Sequence, residues 1–189
     1  MALTYSRMTA LGMEAPTFDL PLANPQVDEI DRPTRRLEDY AEAEALVVVF
    51  MCNHCPYVVH VEETLLDVAR SYQARGVAFV GISANDAEQY PEDSFERMAE
   101  RTRQKKYPFP YLYDASQDVA RAYGALCTPD FFIYDQDRRL VYQGRFDETR
   151  PRQGTPTGRD LRQALDEVLA SGSVTMEQHP SMGCNIKWK

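Results

Sequence analysis

Two cysteines two residues apart, Cys52-Asn53-His54-Cys55, are the side chains of this sequence best suited to covalent chemistry. A thiolate is both a nucleophile and a metal ligand, and a second thiol one turn away can resolve a mixed disulfide. His54, between them, can place a positive charge beside a thiolate near neutral pH. Cys127 and Cys184 are distant in sequence and form no second pair of this spacing.

Position says more than spacing. Ala45-Leu46-Val47-Val48-Val49-Phe50 is an unbroken apolar, β-branched run, which predicts a strand buried on both faces. After Pro56, the residues Val58, Val61, Leu65, Ala69 and Tyr72 recur at helical spacing until Gly76. The cysteine pair therefore falls between a strand end and a helix start. Backbone N–H groups and the positive end of the helix dipole favour a thiolate there, which points to redox chemistry.

The remaining elements frame that site. A short edge strand is predicted within residues 16–22, and a polar loop or hairpin over 24–36. Val77-Ala78-Phe79-Val80-Gly81-Ile82 completes a βαβ unit. A helix from Ser94 to about Lys105, a strand at 109–113, a short helix at 116–123, a hairpin of 131–134 with 140–143 and a helix from Arg159 to about Ala170 follow. This order predicts an α/β fold, a central mixed sheet with helices on both faces.

At 189 residues, 43% hydrophobic and 26% charged, the chain has the totals of a soluble globular protein. One domain is expected over residues 1–170, with an aperiodic tail, 171–189, packed on or near it. The net charge of -8 argues against nucleic acid or an anionic membrane as partner. The first eight residues lack a basic stretch leading into an apolar core, and no run approaches membrane-spanning length. The cytoplasm is the expected compartment, where a C-x-x-C is catalytic or metal-binding rather than a staple.

The strand–Cys52-Asn53-His54-Cys55–helix sequence, followed by Cys127-Thr128-Pro129 entering Phe131-Phe132-Ile133-Tyr134, resembles the thioredoxin-like superfamily. Asp114, Ser116, the helix up to Gly124 and the later hairpin make the longer frame similar to its redoxin branch, which contains the alkyl hydroperoxide reductase/thiol-specific antioxidant proteins. The resemblance covers residues 15–170. It implies a three-layer α/β/α sandwich and a cis proline at Pro129. It also implies that Thr128 and Pro129 bind the substrate, the backbone of Thr128 pairing with a partner chain.

Dithiol exchange then makes Cys52 the attacker, Cys55 the resolver, and Asn53 and His54 the residues that tune the thiolate. A protein or small-molecule disulfide or thiol is the expected partner, with no cofactor. Two inert buried thiols, or half of a zinc site, are the structural alternatives. Metal is not expected, because Cys52, His54 and Cys55 at one helix start cannot all face one ion.

A peroxiredoxin-like peroxidase with Cys184 as resolver is the second functional possibility. Peroxiredoxins, however, carry Pro-x-x-x-Thr-x-x-Cys and a later arginine, and the matching positions here are Val48, Cys52, Cys55 and Pro129. A non-catalytic interaction protein on the same fold is the third.

Cys127 and Cys184 are each either auxiliary redox thiols or packing residues. Ile186 and Trp188 are expected to anchor the tail. Lone His60 and His179 fit ordinary hydrogen-bonded roles, and Glu62-Glu63 a solvated face. The acid that assists proton transfer in thioredoxin would fall on Leu46, which leaves His54, water, Glu38 or Asp39 as proton carriers.

Overall fold

The apolar run at 45–50 forms the strand around which the sheet is built. The computed structural model describes residues 3–189; Met1 and Ala2, where the N-terminal stretch and the expected 1–170 domain begin, lie outside them. In chain order the elements are β1 (Leu3–Tyr5), β2 (Asp19–Pro21), β3 (Thr34–Arg36), β4 (Ala45–Phe50), α1 (Pro56–Gln73) and β5 (Val77–Ser83). Then come α2 (Phe95–Lys105), β6 (Tyr111–Tyr113), α3 (Asp118–Tyr123), β7 (Cys127–Thr128), β8 (Asp130–Tyr134), β9 (Leu140–Gly144), α4 (Arg159–Ser171) and β10 (Met182–Asn185).

The main sheet runs β6-β5-β4-β8-β9. β4, β5 and β6 are parallel, whereas β8 lies antiparallel to β4 and β9 antiparallel to β8. β4 is central and covered on both faces, so all six of its residues are buried and its sequence reads as a run instead of an alternation. Val47 and Val49 share one core with Val58, Leu65, Leu161 and Leu165 of α1 and α4. Leu46, Val48 and Phe50 face the other core, with Tyr123 of α3 and Phe132. The fold is the three-layer α/β/α arrangement with a mixed sheet.

Two features differ from the sequence expectations. The tail, aperiodic in sequence, contributes β10, which lies antiparallel between β1 and β7. Met182-Gly183-Cys184-Asn185 carries no strand pattern of its own; it is extended because it finds a backbone partner on each side. Ile186 is buried behind it, and the Arg121 guanidinium lies 4.8 Å over the Trp188 ring.

Glu62, expected on a solvated face, is only 1% exposed. It accepts hydrogen bonds from Arg101 Nε at 2.6 Å, Arg101 Nη2 at 2.8 Å and the Tyr107 hydroxyl at 2.5 Å. The bidentate pair clamps α2 onto α1, and the partner that made burial tolerable lies 39 residues away. Among the described residues, no helix is long and apolar enough to cross a membrane.

Arg101→Ala strands the Glu62 carboxylate in the core. It should lower stability by about 2–3 kcal/mol, less than for a fully buried pair because Arg101 is partly exposed. Replacing both partners, Glu62→Leu with Arg101→Met, should restore most of that loss in urea denaturation.

Candidate active site

Past β4, the Met51 N–H still bonds the Ile82 carbonyl at 2.9 Å, so the chain leaves the sheet only at Cys52. Cys55 is the N-cap residue of α1, and Pro56 takes a first-turn position where a missing N–H costs nothing. From the other side of the sheet, the pairing of Phe50 with Asp130 draws the β7–β8 junction against the cysteines. The Thr128–Pro129 bond at that junction is cis, as the resemblance implies.

The sulfurs converge on Thr128. Cys55 Sγ lies 3.2 Å from the Thr128 carbonyl oxygen and 2.8 Å from Cys184 Sγ. Cys52 Sγ lies 3.6 Å from Thr128 Oγ1. All four cysteines are buried. Cys127 is the outlying one, its thiol donating a long bond to the Ser181 carbonyl at 3.9 Å.

Electrostatics separates the two sulfurs of the pair. The Cys55 thiol is lowered below the ordinary thiol range, first by its hydrogen bond with the Cys184 thiol and then by that with the Cys52 thiol. Cys52 is pushed up as the donor to Cys55, then by burial, then by the nearby charge of Asp93. Cys184 is raised as the other donor, and by burial. Cys52, Cys55 and Cys184 thus form one coupled group of thiols beside the helix cap, a setting that favours a thiolate among them. Cys127 is raised chiefly by burial and by the Asp130 charge, and stays a thiol at neutral pH.

His54 and Asn53 are organised by Asp93, a residue the sequence did not flag. Its Oδ1 accepts the Asn53 N–H at 2.7 Å and the His54 N–H at 3.2 Å. Its Oδ2 is 2.6 Å from His54 Nδ1 and accepts the Asn85 side-chain amide at 2.7 Å. The carboxylate assigns the proton to Nδ1, the His54 ring stacks on Tyr90 at 5.3 Å, and Nε2 is buried without a partner. Asn53 further donates to the Glu92 carbonyl at 2.8 Å.

Asp93 sits just before Ser94, the cap of α2, and in sequence reads as part of that cap. Its only sequence signal is an acid at a helix start. Asp39, weighed earlier as a proton carrier, instead binds Arg32 and the Arg36 N–H in the segment after β3. His60 hydrogen-bonds Thr149 at 3.0 Å.

Among the described residues one group could hold a metal ion: donor atoms of Cys52, His54 and Asp93 lie within 4.8 Å of one another. Both Asp93 oxygens are already engaged by the amides and the imidazole, so a cation would have to break the network that orients Asn53 and His54. The residues fit a scaffold for thiols better than a metal cradle.

Asp130, directly after Pro129, was also missed, as a lone charge leading an apolar strand. It is fully buried, and neither carboxylate oxygen makes a well-formed hydrogen bond. Burial raises its pKa to about 8, with Ser181 and Gln143 opposing only weakly. At neutral pH it is mostly protonated. Its electrostatic reach is to Cys127, Tyr134 and Tyr142.

Residues 11–143 match the family described as AhpC/TSA. The chain belongs to the AhpC/TSA family. It is similar to an uncharacterized conserved protein from Geobacillus kaustophilus, at 49% identity over 100% of this chain and 97% of that one, with a TM-score of 0.93. A hypothetical protein from Sinorhizobium meliloti 1021 is 46% identical over 98% of each chain, with a TM-score of 0.92. A thiol:disulfide interchange protein of the thioredoxin family from Chlorobium tepidum TLS shares the fold at 16% identity, over 86% of this chain and 99% of that one, with a TM-score of 0.62. A comparison with curated proteins finds no match. Family and fold together make this a thioredoxin-like redoxin with redox thiol chemistry.

Asp130→Asn tests the buried acid through stability. The folded pKa is raised from the ordinary 3.8, so the stabilisation from its proton is complete below that value and is lost as pH rises towards about 8. Relative to the parent, Asp130→Asn should gain stability steadily between about pH 4 and pH 8 and level off above. Urea midpoints across that range would read it; parallel curves would contradict it.

Proposed function

We propose that this protein is a thiol–disulfide oxidoreductase working by dithiol exchange at Cys52 and Cys55. The observation that carries this is the placement of the pair at the cap of α1 with both sulfurs set against Thr128, Cys52 Sγ 3.6 Å from its Oγ1 and Cys55 Sγ 3.2 Å from its carbonyl oxygen. Cys52 is the attacker and Cys55 the resolver. The Cys52 sulfur, as thiolate, attacks one sulfur of a partner disulfide. The partner S–S bond breaks, a Cys52–partner bond forms, and the other partner sulfur leaves as a thiolate. Cys55 gives that thiolate its proton and attacks Cys52; the Cys52–Cys55 bond forms, and the second partner sulfur leaves as a thiolate that takes a proton from water, completing the dithiol. Two electrons have passed from the protein to the partner, with no cofactor.

His54 and Asn53 belong to this cycle as positioning residues. With Nδ1 committed to Asp93, the ring is fixed beside Cys52 and offers Nε2 for proton movement. Thr128 and Pro129 are the residues against which a partner's extended chain is held. The partner is a protein or small-molecule disulfide. A compartment that keeps thiols reduced, the cytoplasm, suits a dithiol resting state.

Peroxide reduction is the competing activity, since a low-pKa thiolate with a neighbouring thiol is also what a peroxidase needs. At the positions that grip peroxide in peroxiredoxins the chain has Cys52 and Pro129 instead of threonine and arginine. Exchange is favoured on that ground.

Trapping separates the roles. In a Cys184→Ser background, Cys55→Ser should accumulate a mixed disulfide through Cys52 with an added disulfide substrate, whereas Cys52→Ser should trap nothing and lose exchange altogether. Adducts on Cys55 in the Cys52→Ser protein would reverse the order, and rapid peroxide consumption by the parent would favour the peroxidase.

A further inference from the structure

The edge at Thr128, where a partner chain would be held, is occupied by the chain's own tail. β10 pairs antiparallel with β7, Cys184 opposite Thr128 and Asn185 opposite Cys127, while β1 covers its other edge. That is the geometry of a peptide adding a strand to an open edge. It also brings a sulfur to the cysteine pair, 2.8 Å from Cys55 Sγ. A covalent S–S bond is about 2.05 Å, so a small movement separates contact from bond.

The docking is specific. A Cβ on Gly183 would lie 2.0 Å from the Thr128 carbonyl oxygen and 2.7 Å from its carbon, so only glycine lets the tail approach this closely. Just beyond, the Lys187 N–H donates to Asn85 Oδ1 at 2.9 Å, and Asn85 donates to the same Asp93 carboxylate that holds His54. The Ile186 N–H bonds the Leu126 carbonyl at 3.0 Å. Tail and cysteine motif are tied into one hydrogen-bond network.

We propose that β10 is a built-in partner strand and Cys184 the third thiol of the exchange, so that the oxidised chain rests as a Cys55–Cys184 disulfide with Cys52 released. This depends on the exchange chemistry proposed above. The Cys184 sulfur, as thiolate, attacks Cys55 in the Cys52–Cys55 disulfide. The Cys55–Cys184 bond forms, the Cys52–Cys55 bond breaks, and Cys52 leaves as a thiolate that takes up the proton Cys184 released. No electron enters or leaves the chain in this step. An outside partner then competes with β10 for the Thr128 edge, and its chain must displace the tail.

A non-reducing tryptic map of the full chain, oxidised with stoichiometric glutathione disulfide and then alkylated, tests this. Cys52 and Cys55 share the peptide 37–70, while Cys184 lies in 163–187. The expected product links these two peptides and leaves Cys52 alkylated. In Cys184→Ser the link is lost and an internal Cys52–Cys55 loop replaces it.

Gly183→Ala should shift the product the same way, lowering the yield of the link by about tenfold or more as Cys184 loses its effective concentration. The fluorescence of Trp188, the single tryptophan, should report the displaced tail. Recovery of an internal loop with alkylated Cys184 from the parent would overturn the relay while leaving exchange at the pair intact. Failure of Cys52 and Cys55 to oxidise at all would overturn both.

Discussion

The antiparallel pairing of β8 with β4 is the constraint on which the candidate site rests. β4 is the central strand and ends at Phe50, two residues before Cys52; β8 begins at Asp130, opposite Phe50. That register sets the Thr128–Pro129 junction directly against the residues leaving β4, and α1 then starts from Cys55 with its N-terminus facing the junction. Slipping one strand by a single residue would turn its buried side chains to the other face, so the two cores lock the register and the register places the sulfurs. Site precision here is a by-product of core packing.

Charge around the sulfurs is managed by a few buried groups rather than by a basic cleft. Asp93 spends its carboxylate on two backbone amides, an imidazole and a side-chain amide, which fixes the loop between the cysteines at the cost of a negative charge near Cys52. That charge raises Cys52 only after its hydrogen bond with Cys55 and its burial, while the Cys184 and Cys52 thiols are the main influences that lower Cys55. Buried pairs of this kind fix geometry more than they stabilise. Asp130 is a different case, a buried acid that avoids the penalty by holding its proton near neutral pH.

The C-terminal segment links fold to chemistry. Its strand is short and rich in small residues, and it has little tendency to be extended alone. β1 and β7 supply the two edges that hold it, the absence of a Cβ at Gly183 lets it approach Thr128, and Asn85 ties it to Asp93. Cys184 thereby joins the thiol cluster although it lies 129 residues from Cys55.

The periodic elements were legible from residue order: the buried run of β4, the amphipathic face of α1, the β8–β9 hairpin, and the cysteine pair at a strand-to-helix junction before a Thr-Pro. Those are local patterns, set by spacing along one strand or one helix turn. Residue order did not disclose that Glu62 is buried against Arg101, that Asp93 organises the cysteine loop, that the aperiodic tail becomes β10, or that Cys184 lies against Cys55. Each of these depends on a partner that arrives from elsewhere in the chain. Burial, hydrogen bonding and thiol acidity are properties of surroundings, and only the folded chain supplies surroundings.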